Sequence, residues 1–216
     1  MSFPDFCAND PQVQWQRFCE LLWFHDGLGM WLDISRMHVN QADLDELRPR
    51  FDQAFKAMGS LEGGAIANGD EQRQVGHYWL RHPQLAPDPE VQAHIATEID
   101  QIEAFGRAIV RGEIKAPNGQ AFTDVLWIGI GGSGLGPLLM IRALQEEGAG
   151  LPFHFFDNVD PNGMSRVLAG IGDALPTTLV ITVSKSGGTP EPHLGMEQAR
   201  HRVEASGGSW AGQAVA

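Results

Sequence analysis

The chain has 216 residues, of which 43% are hydrophobic and 19% charged. That balance suits a folded globular protein and excludes a disordered one. Acidic side chains outnumber basic ones 27 to 15, for a net charge of −12. This argues against a nucleic-acid partner and, with no Lys/Arg run on an amphipathic stretch, against a membrane surface. An anionic substrate stays open if a local trap overcomes the long-range repulsion.

Cys7 and Cys19 are the only cysteines, so the chain is not a disulfide scaffold, and both read as buried free thiols. The opening Met1-Ser2-Phe3-Pro4-Asp5 lacks the basic head and apolar core of a signal peptide. No stretch approaches the ~20 apolar residues of a membrane span. The sequence therefore predicts a cytoplasmic protein.

In chain order, residues 11–24 place Val13, Phe18, Leu21, Leu22 and Phe24 at helical spacing, with Asp10 as cap and Pro11 in the first turn. Residues 30–39 alternate loosely and read as extended. Residues 42–58 form an amphipathic helix, bent or restarted at Pro49 and ended by Gly59, Gly63 and Gly64. Residues 70–81 read as another helix. A long helix over 89–111 carries Ile95, Ile99, Ile102, Phe105 and Ile109 on one face. Pro117-Asn118-Gly119 marks a boundary.

Beyond residue 120 short apolar runs alternate with helical segments. Residues 124–130 read as a strand, 138–145 as a helix, 152–156 as a strand and 161–171 as a helix. Residues 178–183 are a β-branched strand, 190–204 a helix, and Gln213 to Ala216 the opening of a fourth strand. Such alternation predicts βαβ units and a parallel sheet covered on both faces.

Two loops in this half suit an anion. Gly129-Ile130-Gly131-Gly132-Ser133-Gly134 joins the first strand to its helix. Glycines let an anion approach the backbone N–H groups of a helix N-terminus, and Ser133 adds a hydroxyl. The same spacing fits a dinucleotide fingerprint, with Asp157 23 residues beyond Gly134 as a ribose acceptor. A nucleotide P-loop fails, because Leu135 stands where that motif needs Lys. The second loop, Ser184-Lys185-Ser186-Gly187-Gly188-Thr189, gathers three hydroxyls, an ammonium and two glycines in six residues. This is a compact cage for a phosphate dianion: charge from Lys185, neutral donors from Ser184, Ser186 and Thr189, backbone donors from the glycines. A dinucleotide fold needs no such loop after its third strand. The plainer possibility is that Thr189 or Ser186 simply caps the following helix.

The stretches IGIGGSGLGP (128–137) and SKSGGTPE (184–191) resemble the glucose-6-phosphate isomerase family, specifically its first sugar-isomerase (SIS) domain. Asp33-Ile34-Ser35-Arg36, the stretch Asn68 to Arg73 with His77 and Leu80-Arg81, and Phe156 to Asp160 are similar to further family segments, Asp70 replacing a Thr. The resemblance implies a three-layer αβα SIS fold of strand order 2-1-3-4-5. Residues 1–118 would be a mainly helical segment and 119–216 an SIS domain truncated after about three strands. It implies interconversion of glucose 6-phosphate and fructose 6-phosphate through an enediol(ate), with no metal or organic cofactor. It assigns Ser184, Lys185, Ser186 and Thr189 to the substrate phosphate, and Gly132 and Ser133 to the sugar phosphate.

Family members are more than twice this length, so the chain is expected to be an N-terminal fragment, inactive alone. Their catalytic Glu, ring-opening His and late Lys are expected beyond Ala216. The histidines here read as surface or packing residues, and Glu191 as a helix-start residue. The family implies a homodimer. Two other readings are a non-catalytic sugar-phosphate regulator and an NAD-binding domain. The first usually carries a basic DNA-binding segment, whereas residues 1–120 hold 10 basic and 18 acidic side chains.

Overall fold

A computed structural model describes residues 3–146 and 148–216. The chain divides into two compact units, Met1–Ala96 and Thr97–Ala216.

In the first unit, α1 (Pro11–Leu21) is capped by Asp10, whose carboxylate accepts from the Gln12 N–H. The helix ends three residues before the sequence predicts. Leu22–His25 is instead a strand, β1, paired antiparallel with β2 (Met30–Asp33). Trp23 lies opposite Leu32 and Phe24 opposite Trp31, with the latter ring centroids 4.5 Å apart. Cross-strand aromatic pairs stabilise a hairpin, and a periodicity count along one segment cannot register them. Cys7 and Cys19 are both exposed, against expectation. Cys19 sits two positions from each of the buried Arg17 and Leu21, which turns it to the opposite side of α1.

Arg17 organises this unit. The residue is 1% exposed, and its guanidinium donates to four main-chain carbonyls: Pro4, Ser35, Met37 and Val39, at 2.8–2.9 Å. The Phe6 ring lies 5.4 Å from its charged carbon. One helix residue thus ties down the chain on both sides of α1 and β2.

The next helix, α2 (Gln41–Glu62), is continuous through Pro49 and Gly59, both expected to interrupt it. Asn40 and Asp43 close a reciprocal capping box at its start. The predicted helix over 70–81 is absent. A small hairpin of β3 (Ile66–Asn68) and β4 (Arg73–Gln74) stands there, followed by turns. At its tip Asn68 accepts from the Glu71 N–H, and the turns bury Trp79, whose indole N–H reaches the Glu62 carbonyl. A capable turn former and one tertiary contact outweigh the helical pattern.

Helix α3 (Pro89–Val110) matches its expected span and passes from one unit into the other. Ile109 is buried, but Ile102 is 68% exposed and does not share the covered face.

The second unit contains β5 (Asp124–Ile128), α4 (Gly132–Leu144), β6 (Phe153–Phe156), α5 (Pro161–Ile171), β7 (Thr178–Thr182), α6 (Pro190–Ala205), α7 (Trp210–Gln213) and β8 (Ala214–Val215). The strands form one parallel sheet of order β6-β5-β7-β8. In strand order this is 2-1-3-4, as the SIS resemblance implies. The fourth strand is present but short, pairing Ala214 and Val215 with Val180 and Ile181, and Gln213 belongs to α7.

The sheet alternates as a doubly covered sheet must. Leu126, Ile128, Phe156 and Val180 pack with Met164, Leu168 and Ile171 of α5 and Ala199 and Val203 of α6. On the other face Leu179, Ile181 and Val215 pack with Phe105 and Ile109 of α3 and with Phe122. Leu126, Val180 and Val203 are fully buried, each worth about 1.5–3 kcal/mol in removed apolar surface. Gln213, also buried, donates to the Leu175 and Thr178 carbonyls and locks α7 to the start of β7. Among the described residues no helix is long and apolar enough to cross a membrane.

Candidate functional site

Because β5 and β7 are adjacent and parallel, the loops that follow them emerge side by side at the carboxyl edge of the sheet. In an open parallel sheet this is where ligands bind. The β5 loop leads into α4 and back to β6; the β7 loop leads into α6 and on to β8. The chain therefore leaves these neighbours in opposite directions.

The first loop is tighter than expected. Helix α4 begins at Gly132, so Ser133 and Gly134 lie within its first turn rather than before it. Gly131 has φ +55° and ψ −126°, and the Ser133 N–H donates to the Ile130 carbonyl at 3.1 Å. This is a II′-type turn whose first central position favours glycine. The Trp127 indole N–H donates to the Ser133 carbonyl at 2.8 Å.

The second loop brings its three hydroxyls together. Ser184 Oγ and Ser186 Oγ lie 3.4 and 3.3 Å from Thr189 Oγ1. The Gly187 N–H donates to Ser184 Oγ and the Gly188 N–H to Ser186 Oγ, at 3.0 and 3.2 Å. The glycine N–H groups are thus spent on the loop's own serines, not aimed outward as the sequence implied. Their effect is indirect: each serine oxygen already accepts one bond, which favours the hydroxyl as a donor. Thr189 stands at the N-cap of α6 but makes no side-chain cap bond. Its hydroxyl faces the two serines instead, so capping does not account for it. Lys185 is exposed within the same loop.

Helix α6 settles close over the sheet at this edge. A β-carbon at Gly195 would stand 2.9 Å from Ile128 Cγ2. As a result Ile128, Gly129 and Ile130 share one cleft with Phe156, Asn158, Glu191, Pro192 and Gly195. The cleft draws on the first loop, the end of β6 and the start of α6. Asp157, the alternative ribose acceptor, lines a neighbouring cavity of about 240 Å³ beside α5. Its carboxylate accepts from Asn158 Nδ2 at 2.8 Å. His154 lies toward the opposite edge of the sheet, with Nε2 2.8 Å from Asp124 Oδ1.

The family profile described as phosphoglucose isomerase matches residues 33–216, a span that includes both loops. The chain belongs to the phosphoglucose isomerase family. Named glucose-6-phosphate isomerase, the relatives from Synechococcus sp. (strain CC9605) and Parasynechococcus marenigrum (strain WH8102) are each 76% identical over all 216 residues. That from Prochlorococcus marinus (strain MIT 9313) is also 76% identical over the whole chain. These matches cover 41%, 39% and 39% of the three proteins, so the chain spans about two fifths of their length.

Sequence reasoning located both loops of this phosphoglucose isomerase family chain but missed Trp127. One signal for it was present. Residue 137, four after Ser133, is a proline and offers that carbonyl no helical partner.

Proposed function

We propose that this chain carries the phosphate-binding half of an aldose–ketose isomerase site for glucose 6-phosphate and fructose 6-phosphate. The observation that carries the reading is the convergence of Ser184, Ser186 and Thr189 hydroxyls within 3.3–3.4 Å, with Thr189 turned from its capping role. A tetrahedral phosphate dianion takes several donors at once, and charge-assisted bonds are the strong ones. In this reading Lys185 supplies charge, and the three hydroxyls exchange their long mutual contacts for phosphate oxygens. Gly132 and Ser133 contact the sugar phosphate from the neighbouring loop.

Binding at the phosphate does not itself move a proton. It anchors the non-reacting end of the sugar, and that binding energy orients C1 and C2 for proton transfer. The proton transfer and ring opening belong to groups that we assign to no residue of this chain. The reading includes a homodimer, taken from the family resemblance, and the cytoplasmic location expected from the sequence.

Titration calorimetry with fructose 6-phosphate, inorganic phosphate and NAD tests the assignment. Saturable fructose 6-phosphate binding, with inorganic phosphate competing, is expected. Binding of NAD in its place would return the glycine loop to the dinucleotide reading.

A further inference from the structure

We infer that Trp127 is a positioning residue for the glycine loop, an inference that rests on the phosphosugar reading above. In an α-helix each carbonyl accepts from the N–H four residues on. The Ser133 carbonyl faces residue 137, and Pro137, inside α4, has no N–H to give. The proline ring also crowds the carbonyl four residues back. The first turn of α4 would therefore leave that oxygen without its helical donor.

The strand supplies the donor instead. The Trp127 indole N–H lies 2.8 Å from the Ser133 oxygen. Trp127 and Gly129 are two residues apart, so they face the same side of the extended chain. A β-carbon at Gly129 would stand 2.6 Å from the same oxygen, so only glycine leaves room for this approach. The Ser133 peptide groups are then tied on both sides: its N–H to Ile130 and its carbonyl to Trp127. Strand β5 thereby sets the orientation of the turn that presents Gly132 and the Ser133 hydroxyl. A turn already held in place spares the ligand the cost of ordering it.

Trp127→Phe keeps an aromatic ring and removes the N–H. In the 216-residue chain we expect it to weaken fructose 6-phosphate binding about tenfold, the cost of roughly one lost hydrogen bond to an otherwise unpaired carbonyl. Amide exchange at Ser133 and Gly134 should quicken. Pro137→Ala restores an N–H opposite the Ser133 carbonyl, so the Trp127→Phe/Pro137→Ala double variant should recover most of the lost affinity. A merely structural tryptophan would show no such rescue. Parental affinity in Trp127→Phe, or no recovery in the double variant, overturns the inference. A parent chain that binds no fructose 6-phosphate overturns the phosphosugar reading itself, and the two failures are thereby distinct.

A second measurement does not depend on Trp127→Phe folding. In Pro137→Ala alone, two donors compete for one carbonyl, so the Trp127 indole proton should exchange faster than in the parent. Unchanged exchange overturns the inference.

Discussion

A β-carbon on Gly134 would stand 2.3 Å from the carbonyl oxygen of Gly129, well inside any real contact. The end of β5 and the first turn of α4 touch backbone to backbone at these two glycines. Gly134→Ala must push them apart. We expect a loss of about 1–3 kcal/mol in urea unfolding, the usual range for overpacking, together with weaker fructose 6-phosphate binding. Parental stability and affinity in this variant would mean that the loop tolerates a gap.

Gly131 makes a different demand. Its φ of +55° and ψ of −126° suit glycine, yet no atom lies within 4 Å of where its β-carbon would sit. The cost of substitution is backbone strain, about 1–3 kcal/mol, and not crowding. Gly131→Ala should therefore destabilise by about that much in denaturant melts, and Gly131→Val somewhat more, because a β-branched side chain tolerates positive φ least. A valine variant several kcal/mol worse than the alanine would point to crowding.

Lys185→Ala should weaken fructose 6-phosphate and inorganic phosphate alike, by about 1.5–3 kcal/mol, as for a hydrogen bond to a charged group. Calorimetry on both ligands checks this. Loss confined to the sugar phosphate would move Lys185 away from the phosphoryl group.

The Ser35 side chain and its backbone N–H, with a smaller contribution from Arg36, hold the Asp33 carboxyl below the ordinary carboxylate value. A carboxyl depressed in the folded state adds stability above its unfolded pKa and loses it as pH falls through the folded value. Ser35→Ala should raise the Asp33 value toward the ordinary range while leaving the main-chain bond, 2.8 Å long, in place. An NMR titration in which Asp33 is unmoved would assign the shift to the backbone alone.

The proposed reading assigns neither the proton transfer nor the ring opening to a residue of this chain. The chain should bind fructose 6-phosphate without converting it, which a coupled assay on purified protein reads directly. Turnover at ordinary enzyme rates would place the missing groups within residues 1–216.

Sequence alone determined the parallel-sheet architecture and the place of both loops. The apolar runs at 124–128 and 178–182 have buried residues on both faces, and the edge run at 153–156 is half-buried except for Phe156, so their composition declares them; helices α3, α5 and α6 carry their own end signals. Local chemistry and tertiary demand agree there, and the spans match closely. Tertiary structure decided what depends on a partner distant in the chain. The β1–β2 hairpin rests on facing pairs such as Phe24 and Trp31, and the exposure of Cys19 on which side of α1 carries Arg17. At the site, the hydroxyl cluster was legible as composition, because six residues hold it all. The direction of its glycine N–H groups and the bond from Trp127 to Ser133 were not. A hydrogen bond needs distance and angle, and those were set only when β5, α4 and α6 had packed.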